Sequence, residues 1–499
     1  MAFGGQTLRR WLATTAAQIL IYAQGIAVFP IVIRSAGQET YGAYVLVIML
    51  LGFVFDFWTS GVPYRYRRNL VSTIGHAEVR RLFEPQFTFQ VIALAATAAV
   101  LAIAAPALTH VLQISLPIAP WLPGAWLAAH LLYRLVHDYF RLTLRFGKFN
   151  LIVGGFPPLY MTFLVVFVLS GQRLTIDALL SLQTAAYFLI SAPFAVPMLR
   201  EIGVPRFRLP LTVLVEDFRS GFPFTVQLVL NFILASSDRY LLSAFIGVAA
   251  VGQYQPAYQL AWSVIFLPTV GYLLLSPSLW RLVDTGKRAD AERLITIFNR
   301  GFLMIAIPFV TGALLVGPSI LATLASPEIG RASAWVMPLV AAASVPFAVT
   351  TACTAVLIAL NRSQRVFIAA IIGAGFDLAA NLIFLPLFRT ITEPAIATLL
   401  GYTASCIYMS WVLRDSWPIR LEWDGLVRFA AASGIMAVAL CAIGFRPGGV
   451  ISGAGVPSLI AAVAGAAVLY FGSLWLLGGF SPGARHDFAT LARLGAAME

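Results

Sequence analysis

Residues 150–170 read NLIVGGFPPLYMTFLVVFVLS, without one Asp, Glu, Lys, Arg or His. At about 1.5 Å rise per residue, a helix of this length covers the roughly 30 Å hydrocarbon core of a bilayer. Such a helix also pairs its own backbone N–H and C=O groups, which lipid cannot do for it. The stretch predicts a transmembrane helix, and it is not alone. The same window moved along the chain selects fourteen spans, at approximately 11–33, 42–62, 86–108, 121–143, 150–170, 178–199, 221–245, 252–280, 296–317, 332–359, 366–388, 395–413, 429–446 and 457–480. The expected fold is an all-α polytopic membrane protein.

Composition agrees. Of 499 residues, 60% are hydrophobic and 11% charged, with a mean hydropathy of +0.86. A water-soluble domain carries roughly 25% charged residues. A soluble enzyme, a disordered chain and a DNA-binding domain are therefore disfavoured. The net charge of +12 has a simpler source than nucleic acid. With both termini placed in the cytoplasm, the short cytoplasmic segments hold 26 Arg and Lys and the opposite loops hold 5. That is the positive-inside bias of a multi-pass protein. Arg9 and Arg10 precede an apolar run of about 23 residues, too long for a signal h-region, so it is read as the first span. Cys353, Cys406 and Cys441 lie in apolar spans without CxxC spacing, and neither a disulfide nor a metal site is expected. The chain has no GxxxxGK[ST], HExxH or GxSxG motif, and no outer loop exceeds about 15 residues. An enzyme is not expected.

The chain carries an internal repeat. Residues 37–44 read GQETYGAY and residues 247–254 read GVAAVGQY, so Gly37, Gly42 and Tyr44 match Gly247, Gly252 and Tyr254 at an offset of 210. Arg81-Leu82 is aligned with Arg293-Leu294 at 212, and Trp121 with Trp335 at 214. Six spans per copy give two six-helix lobes in the same orientation plus two C-terminal helices, an arrangement used by secondary transporters. The expected division is an N-lobe over 1–220, a C-lobe over 221–420, and the last two spans with a cytoplasmic tail over 421–499. Basic amphipathic stretches at 73–85 and 284–298 are expected to lie along the cytoplasmic interface.

Ionisable residues inside spans are costly, about 2.5–3.5 kcal/mol for Arg or Asp on insertion scales, and so mark function. The fourth span carries His130, Arg134, His137, Asp138, Arg141 and Arg145 within an arc of about 100°. This stripe reads as a cationic wall for an anionic group, or as local pairs such as Arg134–Asp138 with snorkelling arginines. The seventh span aligns Gln227, Asn231 and Asp238, with Arg239 next. It reads as a second wall, or as an Asp-Arg anchor. Asp56 in the second span and Asp377 in the eleventh are coupling candidates for H+ or Na+, as are Asp138 and Asp238. The alternatives are buried pairs and interhelical hydrogen bonds. Arg34, at the outer end of the first span, is a substrate candidate or a snorkelling residue.

Several segments together carry a resemblance: FDFWTSGVPYRYRRNLVS, SSDRYLLSAFIGVAAVGQYQPAYQLA and LSPSLWRLVDTGKRADAERL. They resemble the polysaccharide exporters of the multidrug/oligosaccharidyl-lipid/polysaccharide (MOP) superfamily, the O-antigen and exopolysaccharide repeat-unit flippases above all, over about residues 8–420. The resemblance implies two six-helix lobes, alternating access, and an undecaprenyl-pyrophosphate-linked oligosaccharide as substrate. It implies a bacterial inner-membrane location, with membrane lipids and polysaccharide polymerase machinery as partners and no nucleic acid. A pyrophosphate suits arginines in a hydrated cavity. The substrate candidates are Arg134, His130, His137, Arg239, Arg34, Gln227 and Asn231. A lipid II flippase or cation-coupled multidrug antiporter of the same superfamily is the alternative. The lack of an acidic residue in Trp11–Ile33 weighs against the antiporter. A membrane polymerase or ligase is the alternative of another class.

Overall fold

The structure is a computed structural model that describes residues 5–61, 76–111, 114, 118–417, 422–451 and 455–479. The cytoplasmic tail expected after the last span lies mostly outside these residues. All regular elements among the described residues are helical. In chain order they are α1 (Gly5–Asp56), α2 (His76–Val111), α3 (Leu122–Leu142), α4 (Phe146–Leu169), α5 (Ile176–Ile202), α6 (Leu211–Phe245), α7 (Val248–Trp262) and α8 (Phe266–Asp284). There follow α9 (Arg288–Leu315), α10 (Gly317–Leu324), α11 (Pro327–Ala332), α12 (Val336–Ala359), α13 (Ser363–Phe388), α14 (Glu393–Leu413), α15 (Trp423–Ala442) and α16 (Val456–Leu476).

Eleven described segments are long and apolar enough to cross a membrane. The first, Thr15–Thr59, contains two helical segments broken at Gly37. There φ is 86° and ψ 168°, a region open almost only to glycine. After Asp56 the chain makes a π turn over Phe57–Gly61. The candidate span at 121–143 appears as α3. It is not one of the eleven, because its polar stripe dilutes the apolar surface. The span at 252–280 is divided by a 3-10 turn at Ser263–Ile265 into α7 and α8. The stretches expected to lie along the interface are mostly helical where described, with residues 285–287 forming the turn between α8 and α9. Residues 76–85 continue into α2 and residues 288–298 into α9, as their first turns.

The chain forms two compact units. One holds Gly4–Phe232 with Ile246–Gly252; the other holds Ile233–Phe245 with Gln253 onward. The boundary falls inside α6.

Within the first unit the repeated glycines meet. A Cβ on Gly42 would stand 2.2 Å from the Val248 carbonyl oxygen, and one on Gly252 would stand 1.9 Å from that of Gln38. At the offset of 210, Gln38 is the repeat mate of Val248, so the contact is reciprocal. Only glycine permits this backbone approach. The same unit shows a side-chain clamp. Arg80 Nε donates to Glu84 at 2.8 Å and its Nη2 to the Val204 carbonyl at 3.0 Å. Glu84 accepts the Arg206 N–H at 3.2 Å, and Thr88 accepts the Arg208 N–H at 3.0 Å. Alternate residues of an extended segment advance about 6.6 Å and successive helix turns of four residues about 6.0 Å, so the two stay in register.

The second unit repeats the clamp. Arg288 donates to Glu292 at 2.8 Å and to the Ser416 carbonyl at 2.5 Å, with Thr296 in the place of Thr88. Both copies read Arg-x-x-x-Glu-x-x-x-Thr, at an offset of 208. This corrects the alignment of Arg81-Leu82 with Arg293-Leu294: the residues in equivalent contacts are Arg80 and Arg288. Trp121 and Trp335 both stand immediately before a helix, α3 and α12. In the second unit α13 packs closely against α14. A Cβ on Gly401 would stand 2.8 Å from the Gly373 carbonyl, and Ser405 Oγ donates to the Ala369 carbonyl at 2.8 Å.

Candidate functional site

The first unit carries the polar stripe on α3. Asp138 is its hub and is buried. It lies 2.9 Å from Arg141 Nη2, 3.3 Å from Arg134 Nε and 3.4 Å from His137 Nδ1. The two arginine pairs have the helix-surface spacings i,i+3 and i,i+4. The local pairing foreseen for Arg134–Asp138 is present, and it does not close the stripe. The Arg134 side chain stays 25% exposed and Arg141 43%. Both guanidiniums approach the same carboxylate. Arg145 belongs to a different contact. It donates to Glu201 at 2.6 Å, tying the start of α4 to the end of α5. That bond pushes the Arg145 guanidinium further up from its ordinary value.

His130 is stacked between rings. Phe55 lies on one face at 4.0 Å and Tyr187 on the other at 4.6 Å, both nearly parallel to it. Phe156 continues the column beyond Tyr187 at 4.2 Å. His130 is thus a packed ring, with its Nδ1 buried and without a hydrogen-bond partner. His137 is buried against Tyr133 and Phe149. Behind them lies a polar network that the sequence reading missed. The Tyr44 and Tyr160 hydroxyls approach to 3.3 Å, and Gln183 accepts from Tyr44 at 3.4 Å and from Trp126 Nε1 at 3.1 Å. Gln227 donates to Asn231 at 3.1 Å on α6. Arg34 lies exposed just before the Gly37 break, and Asp56 is half-buried where α1 gives way to the π turn.

The second unit buries Asp238 and Arg239, each 1% exposed. Arg239 Nη1 donates to Asp238 at 2.6 Å and also to the Ala235 carbonyl, while Nε donates to Gln255 at 3.0 Å. The Tyr258 ring covers the guanidinium at 3.6 Å. Asp238 accepts the Tyr254 hydroxyl at 2.8 Å. Desolvated, hydrogen-bonded to three groups and stacked, this guanidinium offers no surface to a ligand. Asp377 is different. It is 1% exposed and accepts from Ser237 at 3.3 Å, while its Oδ1 has no hydrogen-bond partner. Asn381 Oδ1 and Thr398 Oγ1 are likewise buried without partners. Among the described residues no three His, Cys, Asp or Glu are grouped to hold a metal.

No family model matches the chain. Over 213 residues it is 29% identical to the probable flippase AglR of Haloferax volcanii. That match covers 42% of this chain and 44% of the relative, less than half its length. Among solved structures, the lipid II flippase MurJ in an inward closed conformation superposes with a TM-score of 0.74 at 11% identity, covering 94% of this chain and 99% of that one. An inward-facing multidrug transporter of the MOP superfamily gives a TM-score of 0.56 at 11% identity, over 86% of this chain and 96% of that one. The Vibrio cholerae transporter VcmN gives 0.53 at 14%, over 83% and 97%. The chain is an all-helical, multi-pass membrane protein whose fold is the one shared by MurJ and the MOP multidrug transporters.

Proposed function

We propose that this protein is a MOP-superfamily flippase. It moves an undecaprenyl-pyrophosphate-linked oligosaccharide repeat unit from the cytoplasmic to the periplasmic leaflet of the inner membrane by alternating access, for O-antigen or exopolysaccharide synthesis. The observation that carries this reading is the α3 stripe: two partly exposed arginines sharing one carboxylate, within a helix at membrane depth. Partly exposed guanidiniums there fit a multivalent anionic head group. The partial identity to a probable flippase and the MurJ fold support it. Both termini are cytoplasmic in this reading, as the arginine bias implies. The Asp377 carboxylate, buried with an unpartnered oxygen, is the foremost coupling site for H+ or Na+, and Asp56 the second. Polymerase machinery on the far leaflet is the expected partner. The MurJ likeness favours lipid II as a second substrate reading.

The test uses a strain lacking this chain, with a membrane-impermeant sugar label on spheroplasts and mass spectrometry of the lipids. Complete polyprenyl-linked units should be trapped on the cytoplasmic leaflet and be released by the wild-type gene but not by Arg134→Ala. Units already on the outer leaflet and unpolymerised would overturn the reading in favour of a polymerase or ligase.

A further inference from the structure

Asn299 sits on α9 with 2% of its surface exposed. Among the described residues, neither its amide oxygen nor its amide nitrogen has a hydrogen-bond partner. A buried amide left so gives up its bonds to water and gains nothing in return. Beside it the second unit has a cavity with about 10 Å³ of room, between α9 and α15. Thr296, Asn299 and Arg300 line it from α9, and Glu422 and Phe429 from the other side. A polar seam runs past it: Arg300 donates to Glu422 at 2.8 Å and to the Gly479 carbonyl, beyond α16, at 3.3 Å. The same helices also pack through Leu303, Phe429, Met436 and Leu440.

We propose that this cavity is a binding site for one water molecule, which is the hydrogen-bond partner of Asn299 and bridges α9 to α15. Size and chemistry select this occupant. The room suits a single water, and the walls offer the roughly three polar contacts that a buried water makes. The water can donate to Asn299 Oδ1 and accept from Nδ2. For its second hydrogen the same walls hold two acceptors, the Glu422 carboxylate and Thr296 Oγ1, whose own hydrogen goes to the Glu292 carbonyl. A cation would share the walls with the Arg300 guanidinium and an anion with Glu422, so the charges admit a neutral guest. An apolar guest would leave the amide unpaired. The repeat shows what the site is for. At the offset of 208 that aligns the clamps, Asn299 corresponds to Val91 of α2, an apolar residue. The helices α15 and α16 follow only the second copy, and the buried amide occurs in that copy, on the seam where they attach. A water there holds the two helices through hydrogen bonds that can re-form after a small shift of the seam.

The experiment is radiolytic hydroxyl labelling of the full-length protein in nanodiscs, in which a bound water is activated in place and marks the side chains around it. Phe429, 1% exposed, should be labelled in the wild type. Asn299→Leu, which puts an apolar side chain of similar size in place of the amide, should lower that labelling about tenfold. Phe429 unlabelled in the wild type, or labelled equally in monodisperse Asn299→Leu, would overturn the proposal. A high-resolution density map of the wild type is a second readout that does not depend on the variant. It should show a peak about 3 Å from both polar atoms of the Asn299 amide, unchanged when sodium is replaced by N-methylglucamine. Lack of a peak there, or a peak lost with sodium, would equally refute a water site.

Discussion

Asp138→Asn separates binding from turnover. In the wild type the Asp138 carboxylate lies 2.9 Å from Arg141 and 3.3 Å from Arg134, so it competes with any anion for the same guanidiniums. An anion on their far side would sit about 6 Å from the carboxylate, and two unit charges at that distance repel by about 3 kcal/mol at an effective dielectric of 20. The arginine side chains are 25% and 43% exposed. Solvent screening then cuts the repulsion to about 1–2 kcal/mol. Removing the negative charge should tighten pyrophosphate-lipid binding by about five- to thirtyfold. Transfer should slow, because a head group held too firmly is released late. The asparagine carbonyl still accepts from one arginine, so the fold should survive with a loss of about 1 kcal/mol.

The assay pairs equilibrium binding of a pyrophosphate-linked lipid to purified protein with leaflet transfer in proteoliposomes, at low and high salt. The gain in affinity should shrink as salt rises. Unchanged or weaker binding in monodisperse Asp138→Asn protein would refute the view that α3 is a cationic wall throttled by its own carboxylate. Asp138 would then be only a helix-stabilising partner.

Three further outcomes are expected. Gly252→Ala puts a carbon 1.9 Å from the Gln38 carbonyl, where only backbone could yield. It should cost about 3 kcal/mol, visible as a lower melting temperature of detergent-solubilised protein, and an unchanged melting point would deny the reciprocal glycine contact. Asp377→Asn removes a charge that the fold leaves half-satisfied, so thermal stability should hold or rise while gradient-driven transfer is lost. A wild-type response to the gradient would remove Asp377 from coupling. Glu84→Gln keeps the shape of the clamp but weakens its charge-assisted bond to Arg80 by about 1 kcal/mol. Amide exchange over residues 204–210 should quicken about fivefold, and equal protection would show that the segment is held by something else.

What was legible in the sequence follows from how lipid acts as a solvent. Apolar length alone predicts spans, so the helices at 150–170 and 366–388 reappear nearly intact as α4 and α13. Periodicity places Arg134 and Asp138 one turn apart, and they do pair. Periodicity carries no information on what lies across from a residue. His130 was grouped with the arginines by angle, but Phe55 and Tyr187, far away in sequence, make it part of an aromatic column. Arg239 was placed on a cavity wall, yet Tyr258 and Gln255 from the next helix enclose it. The clamp is legible as Arg-x-x-x-Glu-x-x-x-Thr at 80 and 288, beside the shorter identity of Arg81-Leu82 with Arg293-Leu294.

The repeat also separates what the two copies share from what each has alone. At the offset of 214 that aligns Trp121 with Trp335, the stripe residues His130, Arg134, Asp138 and Arg141 fall on Ser344, Ala348, Ala352 and Ala355 of α12. At the offset of 210, Asp238 and Arg239 fall on Val28 and Phe29 of α1, both buried. The glycine contacts and the Arg–Glu clamps are common to both copies, whereas the α3 stripe and the Asp238–Arg239 pair each belong to one copy. Charge at membrane depth costs free energy that a scaffold does not need to spend, so symmetric features are those of the fold and asymmetric charges those of its use. Of the two asymmetric sets, only the α3 stripe reaches solvent, which is why the proposed function puts the anion there. The Tyr254 hydroxyl shows the divergence at one atom: its mate Tyr44 bonds a tyrosine and a glutamine, while Tyr254 bonds the carboxylate that holds Arg239. Replacing Asp238 and Arg239 together by Val and Phe, as the first copy has them, should therefore be better tolerated than either single change, since each single change strands a buried partner.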